Sequence, residues 1–327
     1  MLDASTAVNH TGEARVRPIF SVVIPVFEES DGIAQFHARL TPVMTALAES
    51  WEAIYVNDGS RDDSLRVLER LRQTDRRIAL INLSRNFGKE IATTAGLDYA
   101  RGEAIIIIDA DLQDPPEVIP ALVEGWRRGA DVVYAQRRIR DGETWLKKLS
   151  ARLFYRLMQG LGEVEMPRNA GDFRLLSRRA VDALRQLRER HRFMKGLFAW
   201  IGLPSTAVQY DRAPRARGRS KWSYWRLWNL ALEGITSYTI MPLKVATYLG
   251  LAVALLAAMY GGFIILHTLL YGNRVPGYPS LMAVILFMGG AQLVTLGVIG
   301  EYLGRVFNET KNRPLYLVER YTPSDAE

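Results

Sequence analysis

Through the first 135 residues, apolar positions cluster in short β-branched runs separated by amphipathic stretches, a pattern that predicts alternating strands and helices. Phe20–Val26, Glu52–Val56, Arg77–Leu83, Ala104–Ile108 and Asp131–Ala135 are the predicted strands. Four consecutive isoleucines, Ile105 to Ile108, suit a strand covered on both faces. Between strands, Asp63–Thr74 sets Leu65, Leu68 and Leu71 at helical spacing. The expected class is α/β, with ligands bound beyond the carboxyl ends of the strands.

The pattern changes near residue 240. Val245–Asn273 and Val275–Gly300 are runs of 29 and 26 residues without Asp, Glu, Lys or Arg. Each exceeds the ~20 apolar residues that cross a bilayer. The expected partition is a disordered tail over 1–17, a catalytic domain over 18–235, two spans (245–270 and 280–303) within 236–305, and a C-terminal tail over 306–327. Met1–Pro18 has no apolar core of the kind a signal peptide carries. Two basic amphipathic stretches, 145–158 and 222–235, are expected to be helices at the membrane interface, the second carrying Trp222, Trp225 and Trp228; packing on the domain's own core is the alternative. Lys244 precedes the first span, Arg305, Lys311 and Arg313 follow the second, and the connection carries only Arg274. The positive-inside tendency then puts both termini and the catalytic domain on the cytoplasmic side of the inner membrane.

Composition narrows the chemistry. The formal charge of +7 favours anionic partners. Nucleic acid is not expected among them, because the positive charges sit beside membrane-proximal segments without a recognised binding module. The absence of cysteine excludes disulfides and thiolate catalysis, and four histidines without metal-ligand spacing make a zinc site a poor reading.

Asp109-Ala-Asp111-Leu-Gln113-Asp-Pro-Pro-Glu117 directly follows the isoleucine strand. Two carboxylates delivered at a strand's end suit a hard divalent cation, which takes one or two carboxylates together with substrate phosphates; helix capping by Asp109 with a solvated Asp111 is the bland alternative. Asn57-Asp58-Gly59-Ser60 follows the second strand, where a carboxylate can accept from a ribose hydroxyl or a base N–H, or can merely shape a turn.

Ser21–Glu29, Asn57–Ser60, Asn86-Phe-Gly-Lys89, Asp109–Glu117 and Gly171-Asp-Phe-Arg-Leu175 occur in that order. Together they resemble the family-2 inverting glycosyltransferases of GT-A fold, in the polyprenyl-phosphate branch that includes dolichol-phosphate mannose synthases and bactoprenol glucosyltransferases. The resemblance runs from about residue 18 onward, hairpin included. The chain departs from it at Phe27-Glu28-Glu29, where the family usually has Asn before the Glu. The resemblance implies a Rossmann-like mixed sheet, interfacial helices and a transmembrane hairpin.

It also implies roles. Glu29, Asp58, Lys89 and Asp109 would bind the nucleotide-sugar, with Arg219, Ser220 and Lys221 in a flexible basic loop over the diphosphate. Asp109, Asp111 and Gln113 would hold Mg²⁺ or Mn²⁺, so that Asp111 is counted as catalytic. Asp172 would orient the acceptor or serve as base. Arg137, Arg138, Arg192 and Lys195 are candidates for the acceptor phosphate. The reaction implied is transfer of one sugar, glucose from UDP-glucose in the first place, to undecaprenyl phosphate; UDP-GlcNAc and GDP-mannose are alternative donors. A polysaccharide synthase is disfavoured because the chain has no Arg-Trp dipeptide. A catalytically silent nucleotide-sugar-binding scaffold is the rival from another class. Pro314–Val318 is expected to be either a local ordered tail or a strand paired with a neighbouring subunit, in a dimer or tetramer.

Overall fold

The computed structural model describes residues 17–137, 170–190, 192–210, 241–271 and 277–325. Its centre is four parallel strands, β1 (Phe20–Val26), β2 (Trp51–Asn57), β3 (Ile78–Leu83) and β4 (Ala104–Ile107). Their side chains divide by parity. Val22, Ile24, Tyr55 and Ile106 face one apolar layer, and Val23, Ile54, Val56, Ile105 and Ile107 face the other. Burial on both faces is why these strands read as unbroken apolar runs rather than alternating ones.

Helices α1 (Ile33–Thr45), α2 (Ser64–Thr74) and α4 (Ile119–Arg127) cover the first face through residues such as Phe36, Leu68 and Leu122. Helices α3 (Lys89–Tyr99), α5 (Arg178–Gln186) and α6 (Met194–Trp200) cover the second. At Gly96 an added Cβ would lie 2.2 Å from Val23 Cγ1. Helix α3 therefore sits closer to β1 than any larger residue permits, which fixes where its first residue, Lys89, stands.

The full sheet also contains β5 (Val132–Arg137), β6 (Ala170–Ser177), β7 (Ser205–Tyr210) and β8 (Val318–Thr322), in the order β7-β5-β6-β4-β1-β2-β3-β8. The chain runs outward from β1 through β2 to β3, then returns to lay β4 on β1's other side. That reversal opens a crevice at the carboxyl ends of β1 and β4, where open α/β sheets bind ligands.

Two long helices, α7 (Met241–Tyr271) and α8 (Tyr278–Thr310), pack on each other and extend the expected spans at both ends. Val245–Tyr271 is long and apolar enough to cross a membrane. Leu251, Leu256 and Leu270 are each about two-thirds exposed, at 67%, 65% and 66%, a concentration of bare apolar surface that marks a membrane or protein contact.

The C-terminal segment is ordered against its own chain, the local one of the two expected arrangements. Helix α8 continues to Thr310, and the strand lies at 318–322 rather than 314–318, paired antiparallel with β3 of the same chain. The termini before residue 17 and the two stretches expected at the interface, 145–158 and 222–235, lie outside the described residues.

Candidate functional site

The site follows from one strand register. β4 and β6 are antiparallel, and their last pair is Ile107↔Arg174. Two further steps along that register set Asp109 beside Asp172, residues that the sequence separates widely. Facing carboxylates repel, and Lys89, opening helix α3, stands between them. Its Nζ lies 2.6 Å from Asp109 Oδ2 and 2.7 Å from Asp172 Oδ2.

Electrostatics separate the two acids. Burial, reinforced by Asp172 and Asp111, raises the pKa of Asp109 in spite of Lys89. Burial also pushes on Asp172, but Lys89, Lys195 and Arg174 outweigh it and hold that carboxyl at about 2. Burial opposes the charge of Lys89, yet the two carboxylates raise its pKa above the ordinary lysine value. Asp172 keeps one more acceptor in reserve, because its Oδ1 is buried without a hydrogen-bond partner among the described residues.

Two residues that sequence reasoning passed over complete the cluster. Glu90 is raised to about 7, by burial first and then by Asp172, against Lys89 and Lys195. Its position directly after Lys89 was the only available signal. Arg174 is 4% exposed, donates to the Gly171 carbonyl at 2.7 Å and stacks on Phe198 at 3.6 Å; burial lowers its pKa to about 10.

The flanking turns are locally strained. Glu28 (φ 53°) and Leu112 (φ 58°) occupy the left-handed region, one after β1 and one after β4. Non-glycine residues there are uncommon and concentrate at functional sites. Between Asp111 and Gln113 the Asp111 side chain accepts from the Gln113 N–H at 3.0 Å, closing the turn around Leu112. Glu29 donates its backbone N–H to Ser64 Oγ at 3.0 Å, and its carbonyl accepts from Gly32 at the start of α1.

Asp58 is buried and accepts from the Phe87 and Gly88 amides at 2.7 and 2.9 Å, tying the second-strand turn to the loop that launches Lys89. Gly59 is required beside it: φ is 63°, and a Cβ would lie 2.3 Å from the Arg85 carbonyl carbon. A cavity of about 530 Å³ opens here, lined by Phe27, Asn57, Ser60 and Arg85 among others.

The other sequence candidates disperse. Gln113 is buried, with its Nε2 unpartnered among the described residues. Arg192 is turned inward, 7% exposed, and donates to the Leu187 carbonyl. Lys195, on α6, is close enough to influence both Asp172 and Glu90. Arg137 ends β5; Arg138, Arg219, Ser220 and Lys221 lie outside the described residues.

Asp109 and Asp111 present hard oxygen donors suited to Mg²⁺ or Mn²⁺. Among the described residues no three His, Cys, Asp or Glu are grouped to enclose a metal ion. Two carboxylates are nevertheless the number that Mg²⁺ commonly takes when substrate phosphates complete its shell. The donor chemistry therefore fits a divalent cation shared with a diphosphate.

Residues 21–185 match glycosyl transferase family 2, and residues 241–306 match the GtrB C-terminal hairpin. An uncharacterized glycosyltransferase of Synechocystis is 56% identical over 91% of this chain and 94% of its own length. A bactoprenol glucosyl transferase of Shigella flexneri, derived from an SfII prophage, is 46% identical over 92% and 97%. A prophage bactoprenol glucosyl transferase homolog of Escherichia coli is 46% identical over 92% and 98%. This chain belongs to glycosyl transferase family 2, with the GT-A fold and a GtrB-type C-terminal hairpin.

Proposed function

We infer that this protein transfers a single glucose from UDP-glucose to a polyprenyl phosphate, undecaprenyl phosphate in the first place, at the cytoplasmic leaflet and with inversion. The observation that carries this most directly is the near full-length similarity, hairpin included, to relatives named bactoprenol glucosyl transferase. The strand-end carboxylates Asp109 and Asp111 and the exposed apolar helix α7 agree with a charged donor and a lipid acceptor on one chain.

Asp109 and Asp111 would hold Mg²⁺ or Mn²⁺, which when bound neutralises charge on the leaving diphosphate. The chain's own residues account for the rest. A phosphate monoester has a second pKa near 6 and is mostly dianionic at pH 7, so it needs no base to become a nucleophile. Asp172, held at about 2, is poorly matched to proton abstraction. Its role here is to orient, through Lys89 on one side and its unpartnered Oδ1 on the other. Lys195 supplies positive charge toward the acceptor phosphate. Positioning of this kind is worth several kcal/mol when the reacting groups are aligned.

Topology supports a double crossing. β8 lies in the same sheet as β1–β4. A chain that crosses a bilayer in α7 and then adds a strand to the sheet it left has to cross back, and α8 is the segment available. Both ends of the hairpin then face the catalytic domain's side, which the basic flanks make the cytoplasmic one.

The test is nucleotide release from UDP-glucose, UDP-GlcNAc and GDP-mannose by detergent-solubilised protein with undecaprenyl phosphate and Mg²⁺ or Mn²⁺. Lipid- and metal-dependent release from UDP-glucose is expected. Release from another sugar nucleotide alone would replace the donor. Silence from folded protein would favour the non-catalytic scaffold.

A further inference from the structure

The C-terminal strand does more than close the sheet's edge. Its register on β3 pairs Asn82 with Arg320 and Leu83 with Val318, so Glu319 is the extra residue of a β-bulge. Bulges re-aim side chains, and here Glu319 Oε2 accepts from Asn82 Nδ2 at 2.7 Å. Asn82 Oδ1 in turn accepts from Asn57 Nδ2 at 2.7 Å. All three residues line the 530 Å³ cavity at the carboxyl ends of β1, β2 and β3.

The polarity of this chain is dictated from its outer end. A carboxylate only accepts, so Asn82 has to present its NH₂ to Glu319 and its oxygen to Asn57. Asn57 is then obliged to spend its NH₂ on Asn82. What is left over is Asn57 Oδ1, a buried acceptor without a partner among the described residues. Such an orphan is costly, and a ligand N–H relieves it. Asp58, the neighbouring carboxylate, is already engaged by two backbone amides.

We propose that Glu319, carried on the strand that follows the membrane hairpin, is a specificity-determining residue that acts at a distance, by orienting Asn82 and Asn57 so that the cavity accepts a nucleobase with a ring N–H. Uracil, with a donor at N3, fits this polarity; cytosine, with an acceptor at N3, opposes it. This rests on the nucleotide-sugar reading given above.

The strand is also anchored by side-chain contacts that take no part in the relay. Arg320 pairs with Glu69, Arg72 donates to the Pro323 carbonyl at 2.7 Å, and Ser324 Oγ donates to the buried Glu52 at 2.7 Å. These supply the control for a purely bracing role.

The experiment is calorimetric binding of UDP and CDP to the full-length protein in detergent, with the thermal midpoint measured on each sample. Wild type is expected to prefer UDP. Glu319→Gln keeps an acceptor for Asn82 and holds UDP affinity within about threefold. Glu319→Lys donates instead, reversing the relay, and narrows the UDP-to-CDP preference by roughly tenfold or more, the scale on which a mispaired buried group discriminates. Arg320→Ala lowers the thermal midpoint and leaves the preference unchanged. If Glu319→Lys keeps the wild-type preference, or Arg320→Ala shifts it as far, the strand is a brace and the proposal is overturned. Wild-type protein that binds neither nucleotide overturns the proposal and the donor reading together, which distinguishes that failure from the first.

Discussion

Lys89 Nζ lies 2.7 Å from Asp172 Oδ2, joining the first residue of α3 to a strand 83 positions further along the chain. The same ammonium reaches Asp109. One cation thus organises two carboxylates whose repulsion would otherwise drive the ends of β4 and β6 apart. Lys89→Met is expected to destabilise the fold by about 1–2 kcal/mol at pH 7, a figure reduced for the lysine's 42% exposure. The sign with pH follows from Asp172. Its depressed pKa contributes stability above the ordinary carboxylate range, and that contribution is lost as pH falls toward about 2. Without Lys89 the loss moves to higher pH. Thermal midpoints of both proteins between pH 3 and 7 measure it.

Asp111→Ala and Asp172→Asn separate two roles. The first should abolish turnover, by about 10³-fold or more, with metal-dependent donor binding lost. The second should cut kcat by roughly 10²-fold while donor affinity survives, because Asp172 is assigned to acceptor orientation. Steady-state kinetics paired with UDP-glucose calorimetry decide. Equal loss of donor affinity in Asp172→Asn would move that residue into the donor site.

Glu90 gives a prediction of opposite sign. Its pKa is raised to about 7, so the folded state holds a proton that the unfolded chain releases near 4.5. Folding stability therefore falls as pH rises through that window and levels off above it. Glu90→Gln removes the penalty. It should raise the thermal midpoint by a few °C at pH 8 and change it little at pH 5. Equal shifts at both values would show that the ionisation of Glu90 is not what costs stability.

The four central strands were legible because burial on both faces demands unbroken apolar runs such as Ile105–Ile108. β6 was not, since it carries Asp172 and Arg174 and reads as a motif before it reads as a strand. β7 is a mostly exposed edge with little apolar pattern, and β8 pairs with residues more than 200 positions away. The strand-end acids were visible as motifs, yet their convergence on Lys89 depends on a β4–β6 register that no local pattern encodes. Local spacing pointed to Asp58 as a nucleoside contact but not to the Phe87 and Gly88 amides that its oxygens accept from, which tie it to the loop before Lys89. Arg192, expected among the residues for the acceptor phosphate, is buried and donates to the Leu187 carbonyl, because a basic residue's partner is set by packing rather than by sequence neighbours.

Glu28 marks where the chain departs from its family's usual Asn, and it does so in a left-handed conformation. Asn tolerates that region better than Glu. Glu28→Asn is expected to stabilise the protein by about 0.5–1 kcal/mol, read from the midpoint of chemical denaturation. A loss of stability would show that the Glu28 side chain, rather than its backbone strain, governs this turn.

The central claim is sugar transfer to a lipid phosphate, and the lipid product tests it most directly. Full-length protein would be incubated with UDP-glucose, undecaprenyl phosphate and Mn²⁺, with Asp111→Ala as control, and the extracted lipid analysed by mass spectrometry and NMR of the anomeric centre. The account predicts one hexose on the lipid phosphate, of inverted configuration, and none from the control. Unmodified lipid with free glucose, or product from Asp111→Ala at the wild-type rate, would contradict it.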